Sequence, residues 1–70
     1  MNKTITVEIN GEARIVPPIP NVTELLHYLG IGQERIAVEV NRQIVRRRDW
    51  AVTPVCDRDK LEIVQFVGGG

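Results

Sequence analysis

The chain has a single cysteine, Cys56, so no internal disulfide framework can staple it. One cysteine and one histidine, His27, also lack the ligand spacing of a metal site. Nine basic and nine acidic side chains cancel to a formal net charge of zero. No overall field therefore draws the protein to nucleic acid or to an anionic membrane. Only Tyr28, Trp50 and Phe66 are aromatic, which leaves no aromatic platform for stacking bases. No apolar run approaches the roughly 20 residues that a helix needs to cross a bilayer. Met1-Asn2-Lys3-Thr4 passes straight into an alternating pattern and does not read as a signal peptide. These absences lead to the expectation of a cytoplasmic protein.

What is present fits one small domain. Seventy residues allow one hydrophobic core of modest stability, and an apolar share of 43% is ordinary for a globular chain. Thr4 to Ile9 alternates polar and apolar, the mark of a half-buried strand. Asn10-Gly11 then suits a type I′ hairpin turn, where both central residues need positive φ. Glu12 to Val16 returns as a second strand, stopped by Pro17-Pro18-Ile19-Pro20. Asn21, with Glu24 three residues on, has the spacing of a helix N-cap. Val22, Leu25, Leu26 and Leu29 share one helical face, and Gly30 suits the position after the last turn.

Arg35 to Val40 alternates again. A turn at Asn41-Arg42 leads to a short edge strand, Gln43-Ile44-Val45. Arg46 to Ala51 reads as a short helical turn carrying Trp50. A polar turn, Asp57-Arg58-Asp59, introduces the last strand, Lys60 to Val67. The order is strand, strand, helix, strand, short strand, strand. We expect an α+β domain with one helix across one face of a mixed four- or five-stranded sheet.

The chain closes on Gly68-Gly69-Gly70. Without a Cβ, such a segment enters a narrow channel at no steric cost. Three extended residues reach roughly 10 Å, enough to deliver a terminal carboxylate into a partner's active site. Ordering them costs on the order of 1–2 kcal/mol each, so the folded surface must supply most of the docking energy. A carboxylate is a poor acyl electrophile and needs activation, for which adenylation by ATP is the usual route. The expected division is a folded domain over 1–67 and a flexible tail over 68–70.

The Asn10-Gly11 hairpin, the Leu25-Leu26 helix ending at Gly30, the Asn41 turn, the Trp50 segment and the run from Lys60 through Gly70 together resemble the ThiS family of sulfur carriers. The resemblance implies a β-grasp, ubiquitin-like fold with the first and last strands parallel at the centre. It implies a carrier in thiamine biosynthesis, not an enzyme, acted on by partner enzymes. Gly70 would be adenylated by a ThiF-like enzyme using ATP and magnesium. It would become a thiocarboxylate with sulfur from a donor such as a cysteine desulfurase. A ThiG-like thiazole synthase would then take the sulfur, with Gly68 and Gly69 threading the partners' active sites. The related MoaD, the small subunit of molybdopterin synthase, has the same fold and terminus but usually a longer chain before the last strand. A ubiquitin-like modifier and a plain interaction module are the remaining alternatives. The Pro17–Pro20 segment and Arg46-Arg47-Arg48 depart from the family pattern, and both lie away from the tail.

The other reactive residues have plainer readings. Cys56 and His27 lack a third orienting group, so a surface histidine and a half-buried thiol are expected in place of a catalytic dyad. Arg42, Arg46, Arg47 and Arg48 form a local basic cluster, with Arg46 and Arg47 as candidate contacts to an acidic partner. Alternation along the last strand puts Leu61 and Ile63 toward the helix and Val64 and Phe66 on the opposite face. Those two residues are the candidate docking patch beside the tail.

Overall fold

A computed structural model describes residues 3–66. It contains β1 (Ile5–Ile9), β2 (Glu12–Val16), α1 (Val22–Leu29), β3 (Ile36–Val40), β4 (Gln43–Val45), a 3-10 helix (Arg47–Val52) and β5 (Lys60–Gln65). The strands form one sheet in the order β2-β1-β5-β3-β4. β1 and β5 run parallel, and every other neighbouring pair is antiparallel. This is the β-grasp arrangement, with α1 laid across one face.

Local chemistry shapes each junction. Asn10 (φ 51°) and Gly11 (φ 81°) occupy the left-handed conformations of a type I′ turn, which sets Ile9 opposite Glu12. Asn21 caps α1, its Oδ1 accepting from the Glu24 N–H at 2.9 Å. At the other end Gly30 (φ 71°) allows two reversed bonds: its N–H donates to the His27 carbonyl at 3.1 Å, and Ile31 N–H to Leu26 at 3.0 Å. That pairing is a Schellman motif, and it satisfies two carbonyls the helix would otherwise leave open. β3 begins at Ile36, one residue later than the alternation suggests, because Arg35 turns left-handed (φ 59°) before the strand.

α1 has eight residues and would not persist alone, so its stability comes from burial. Leu25, Leu26 and Val22 are fully buried against Val7, Val38 and Leu61 of the sheet. Val16, Ile19, Ile36, Val55 and Trp50 complete the core. The Trp50 indole N–H donates to the Val45 carbonyl at 2.9 Å, so the ring is buried with its polar atom satisfied. Among the described residues no polar or charged side chain is buried.

The placement of β5 rests on side chains that act as strand extensions. The parallel pairing with β1 registers only Glu8 with Lys60 and Ile9 with Leu61. Asn10 then takes over. Its Oδ1 accepts from Ile63 N–H at 2.7 Å and its Nδ2 donates to Ile63 C=O at 3.1 Å. On the other flank, Asn41 Oδ1 accepts from Lys60 N–H at 3.0 Å. Ahead of the strand, Asp57 accepts from Thr6 N–H at 2.7 Å and Asp59 from Cys56 N–H at 2.8 Å.

Two substitutions test this account by urea denaturation. Asn10→Gly retains the positive φ but removes both bonds to Ile63, and should cost about 1–3 kcal/mol. Gly30→Ala places a Cβ in open space at a left-handed position, so only backbone strain is added. It should cost about 1–2 kcal/mol.

Candidate functional site

The two faces of β5 have opposite characters. Leu61 is fully buried under α1 and Ile63 is half-buried. Glu62, Val64 and Phe66 lie on the uncovered face, with Val64 52% and Phe66 54% exposed. The expectation that these two apolar side chains escape the core is met, and no bulge returns Phe66 to it. Cross-strand register sets Val64 opposite Ala37, and Glu62 opposite Glu39, which is itself opposite Ile44. The uncovered face therefore carries Val64, Phe66, Ala37 and Ile44 at its β5-to-β4 side, crossed by two carboxylates.

The root of the C-terminal segment is held by backbone. Phe66 N–H donates to the Arg35 carbonyl at 2.7 Å, which continues the β5–β3 ladder one step past Gln65. The left-handed conformation of Arg35 aims that carbonyl, a contact no sequence pattern announced. A shallow groove lined by Gly32, Gln33, Glu34, Arg35, Gln65 and Phe66 runs beside this point. Gly68, Gly69 and Gly70 lie outside the described residues.

The remaining candidates are scattered. Arg47 sits over the Trp50 ring, 5.5 Å from its centroid, on the 3-10 helix that follows β4. Arg46 immediately precedes that helix. Both are therefore separated from Val64 and Phe66 by β3 and β4. His27 is exposed on α1, its Nδ1 3.9 Å from a Glu24 carboxylate oxygen. Cys56 is exposed, which corrects the expectation of a half-buried thiol. In this loop Val55 takes the inward position and turns its neighbour to solvent. No hydrogen bond joins Cys56 to His27 among the described residues. Nor do the described residues contain a group of three or more His, Cys, Asp or Glu placed to hold a metal. No helix among them is long and apolar enough to cross a membrane. These side chains form no common site among the described residues, and β5 is the strand that precedes Gly68-Gly69-Gly70 in the sequence.

Residues 3–70 match the ThiS family. A solved structure of the thiamine biosynthesis protein ThiS from Geobacter metallireducens superposes with a TM-score of 0.82 at 36% identity, covering 94% of this chain and 100% of that one. The sulfur carrier protein ThiS of Bacillus subtilis is 37% identical over 49 residues, 70% of this chain and 74% of its own. A thiazole synthase of Paramagnetospirillum magneticum is 47% identical over 62 residues, 89% of this chain but only 19% of that longer protein. The match extends through the glycines and the fold agrees across nearly the whole chain: this protein belongs to the ThiS family.

Proposed function

We propose that the chain is a sulfur carrier of thiamine biosynthesis whose reactive group is the carboxylate of Gly70. The observation that carries this reading is the junction at the end of β5. The sheet's central strand is bonded to both neighbours, is anchored to Arg35 at Phe66, and leads within two residues to three glycines. Val67 to Gly70 extended span at most about 14 Å, a reach suited to an active site buried in a partner. Family membership through residue 70 and the sulfur-carrier name of the Bacillus relative support the same reading.

The chemistry follows from the carboxylate. At neutral pH it is ionised, with a reference pKa of about 3.3–3.7, and resists attack. A ThiF-like enzyme, using ATP and magnesium, joins it to AMP and releases pyrophosphate. A sulfur nucleophile then attacks the acyl carbon, and the C–S bond forms as the C–O bond to AMP breaks. Sulfide gives the terminal thiocarboxylate directly. The persulfide of a donor such as a cysteine desulfurase gives an acyl disulfide, whose S–S bond a thiol reductant must cleave, leaving the thiocarboxylate and an oxidised disulfide. A thiazole synthase accepts that sulfur, in keeping with the presence of a region like this chain within proteins of that name. The carrier contributes position: Gly68 and Gly69 thread the channel, Val64 and Phe66 seat the domain, and Arg46 and Arg47 meet acidic partner groups.

Two experiments decide this. Incubation with the adenylating enzyme, ATP and a sulfur donor should raise the intact mass by the difference between sulfur and oxygen. Deleting Gly70 should abolish that change while leaving the melting temperature unaltered; sulfur loading of the shortened chain would overturn the assignment. Phe66→Asp should weaken binding to the partner enzymes about tenfold or more, roughly 1.4 kcal/mol, with little change in unfolding. Unchanged affinity would remove Phe66 from the docking surface.

A further inference from the structure

β5 is a central strand for most of its length and an edge strand at its end. The hydrogen-bond parity shows this. Asn41 N–H donates to Lys60 C=O and Phe66 N–H donates to Arg35 C=O. With the register of β3, this directs the backbone groups of Lys60, Glu62, Val64 and Phe66 toward β3. The groups of Leu61, Ile63 and Gln65 point the other way, toward β1. Leu61 C=O accepts from Asn10 N–H at 2.9 Å, and Ile63 is held at both groups by the Asn10 side chain.

β1 is then exhausted. The chain has turned at Asn10-Gly11 into β2, which lies beyond β1. The next outward-facing pair, Gln65 N–H and C=O, has no hydrogen-bond partner among the described residues. Gln65 is exposed, and Ile63 beside it on the helix face is only half-buried, so α1 does not cover this corner. An open strand edge is a template for another strand, and native proteins blunt such edges unless they are used. Here the opening lies at the root of the glycine segment, continuous with exposed Phe66 and Val64.

We infer that an extended segment of the thiazole synthase adds to the free edge of β5 at Gln65, taking the place β1 has vacated. This rests on the carrier reading for the identity of the partner, and it adds a mode of recognition to it. Main-chain pairing of this kind supplies affinity through backbone bonds and reads side chains on alternate faces. A strand laid along β5 also runs parallel or antiparallel to the direction in which the chain leaves the sheet.

The test uses the full chain and the thiazole synthase of the same organism. In the free protein the Gln65 amide should exchange with solvent rapidly and the Phe66 amide slowly, since only the latter is bonded. In the complex, Gln65 exchange should slow about tenfold or more. Gln65→Pro removes a donor that no described residue accepts, so it should preserve the melting temperature and weaken binding about tenfold. Gln65→Ala, which keeps the backbone, should bind within about twofold of wild type. Val64→Pro removes a donor to β3 and should destabilise the domain. Unslowed exchange at Gln65 in the wild-type complex overturns the inference even if Gln65→Pro proves unstable. So does wild-type affinity in Gln65→Pro. Sulfur loading measured on the same wild-type sample keeps the outcomes separate: loading without Gln65 protection defeats the edge alone, whereas absence of loading defeats the carrier reading. A wild-type chain that loads but does not bind the synthase also overturns the inference.

Discussion

The side chain of Asn10 makes two hydrogen bonds to the backbone of Ile63, and the position of β5 depends on them. Without that amide the parallel ladder would end after two registered pairs, and the C-terminal half of the strand would be tied to the sheet on one side only. The same residue has already turned the chain out of β1 with a left-handed φ. One asparagine therefore ends one strand and extends its neighbour. Asn41 repeats the device on the opposite flank, with φ 50° at the start of the β3–β4 turn and its Oδ1 on Lys60 N–H. The two turns together centre β5, and with it the exit of the chain.

This architecture gives the sheet one packed face and one open face. The helix side of the sheet holds the buried aliphatics and Trp50, with no buried charge to desolvate among the described residues. The other side has no covering layer among the described residues and carries Ile15, Ile44, Val64 and Phe66 among Glu8, Glu39, Lys60 and Glu62. Glu39 and Glu62 stand directly opposite each other, and no ion pair joins either to a cation among the described residues. Like charges at that spacing oppose folding, while they also keep an apolar face from pairing with its own kind. Solvent and salt screen that repulsion on an uncovered face, as they would not in a core.

Much of this was legible where chemistry is local. Asn10-Gly11 announced its turn, Asn21 its cap and Gly30 its helix stop, because each is set by the conformational limits of one or two residues. Alternation in Lys60 to Phe66 assigned both faces of β5 correctly. What escaped were roles fixed by distant contacts. The grip of Asn10 on Ile63 spans 53 positions in sequence and leaves no periodic trace. Arg35 and Arg58 are poor candidates for positive φ by residue type. Their backbones are held there by bonds to Phe66 and Thr6, made only once the sheet has formed. Cys56 was misplaced for a similar reason: in an irregular loop no period tells which of two neighbours, Val55 or Cys56, turns inward.

The arrangement also bears on how such a carrier binds its partners. Three glycines bring little binding energy of their own, because each residue fixed on binding costs on the order of 1–2 kcal/mol. On the proposed carrier reading the folded surface supplies the docking energy, and it does so best if the docking residues and the glycines share a strand. β5 meets that condition. Its buried face ties it to the core, its uncovered face presents Val64 and Phe66, and its backbone is fixed as far as the Arg35 carbonyl. A longer stretch between Phe66 and Gly70 would raise the entropic cost of threading with every residue, and a shorter one would lose reach at about 3.3–3.6 Å per residue. The Arg35–Phe66 bond marks where those opposing demands meet.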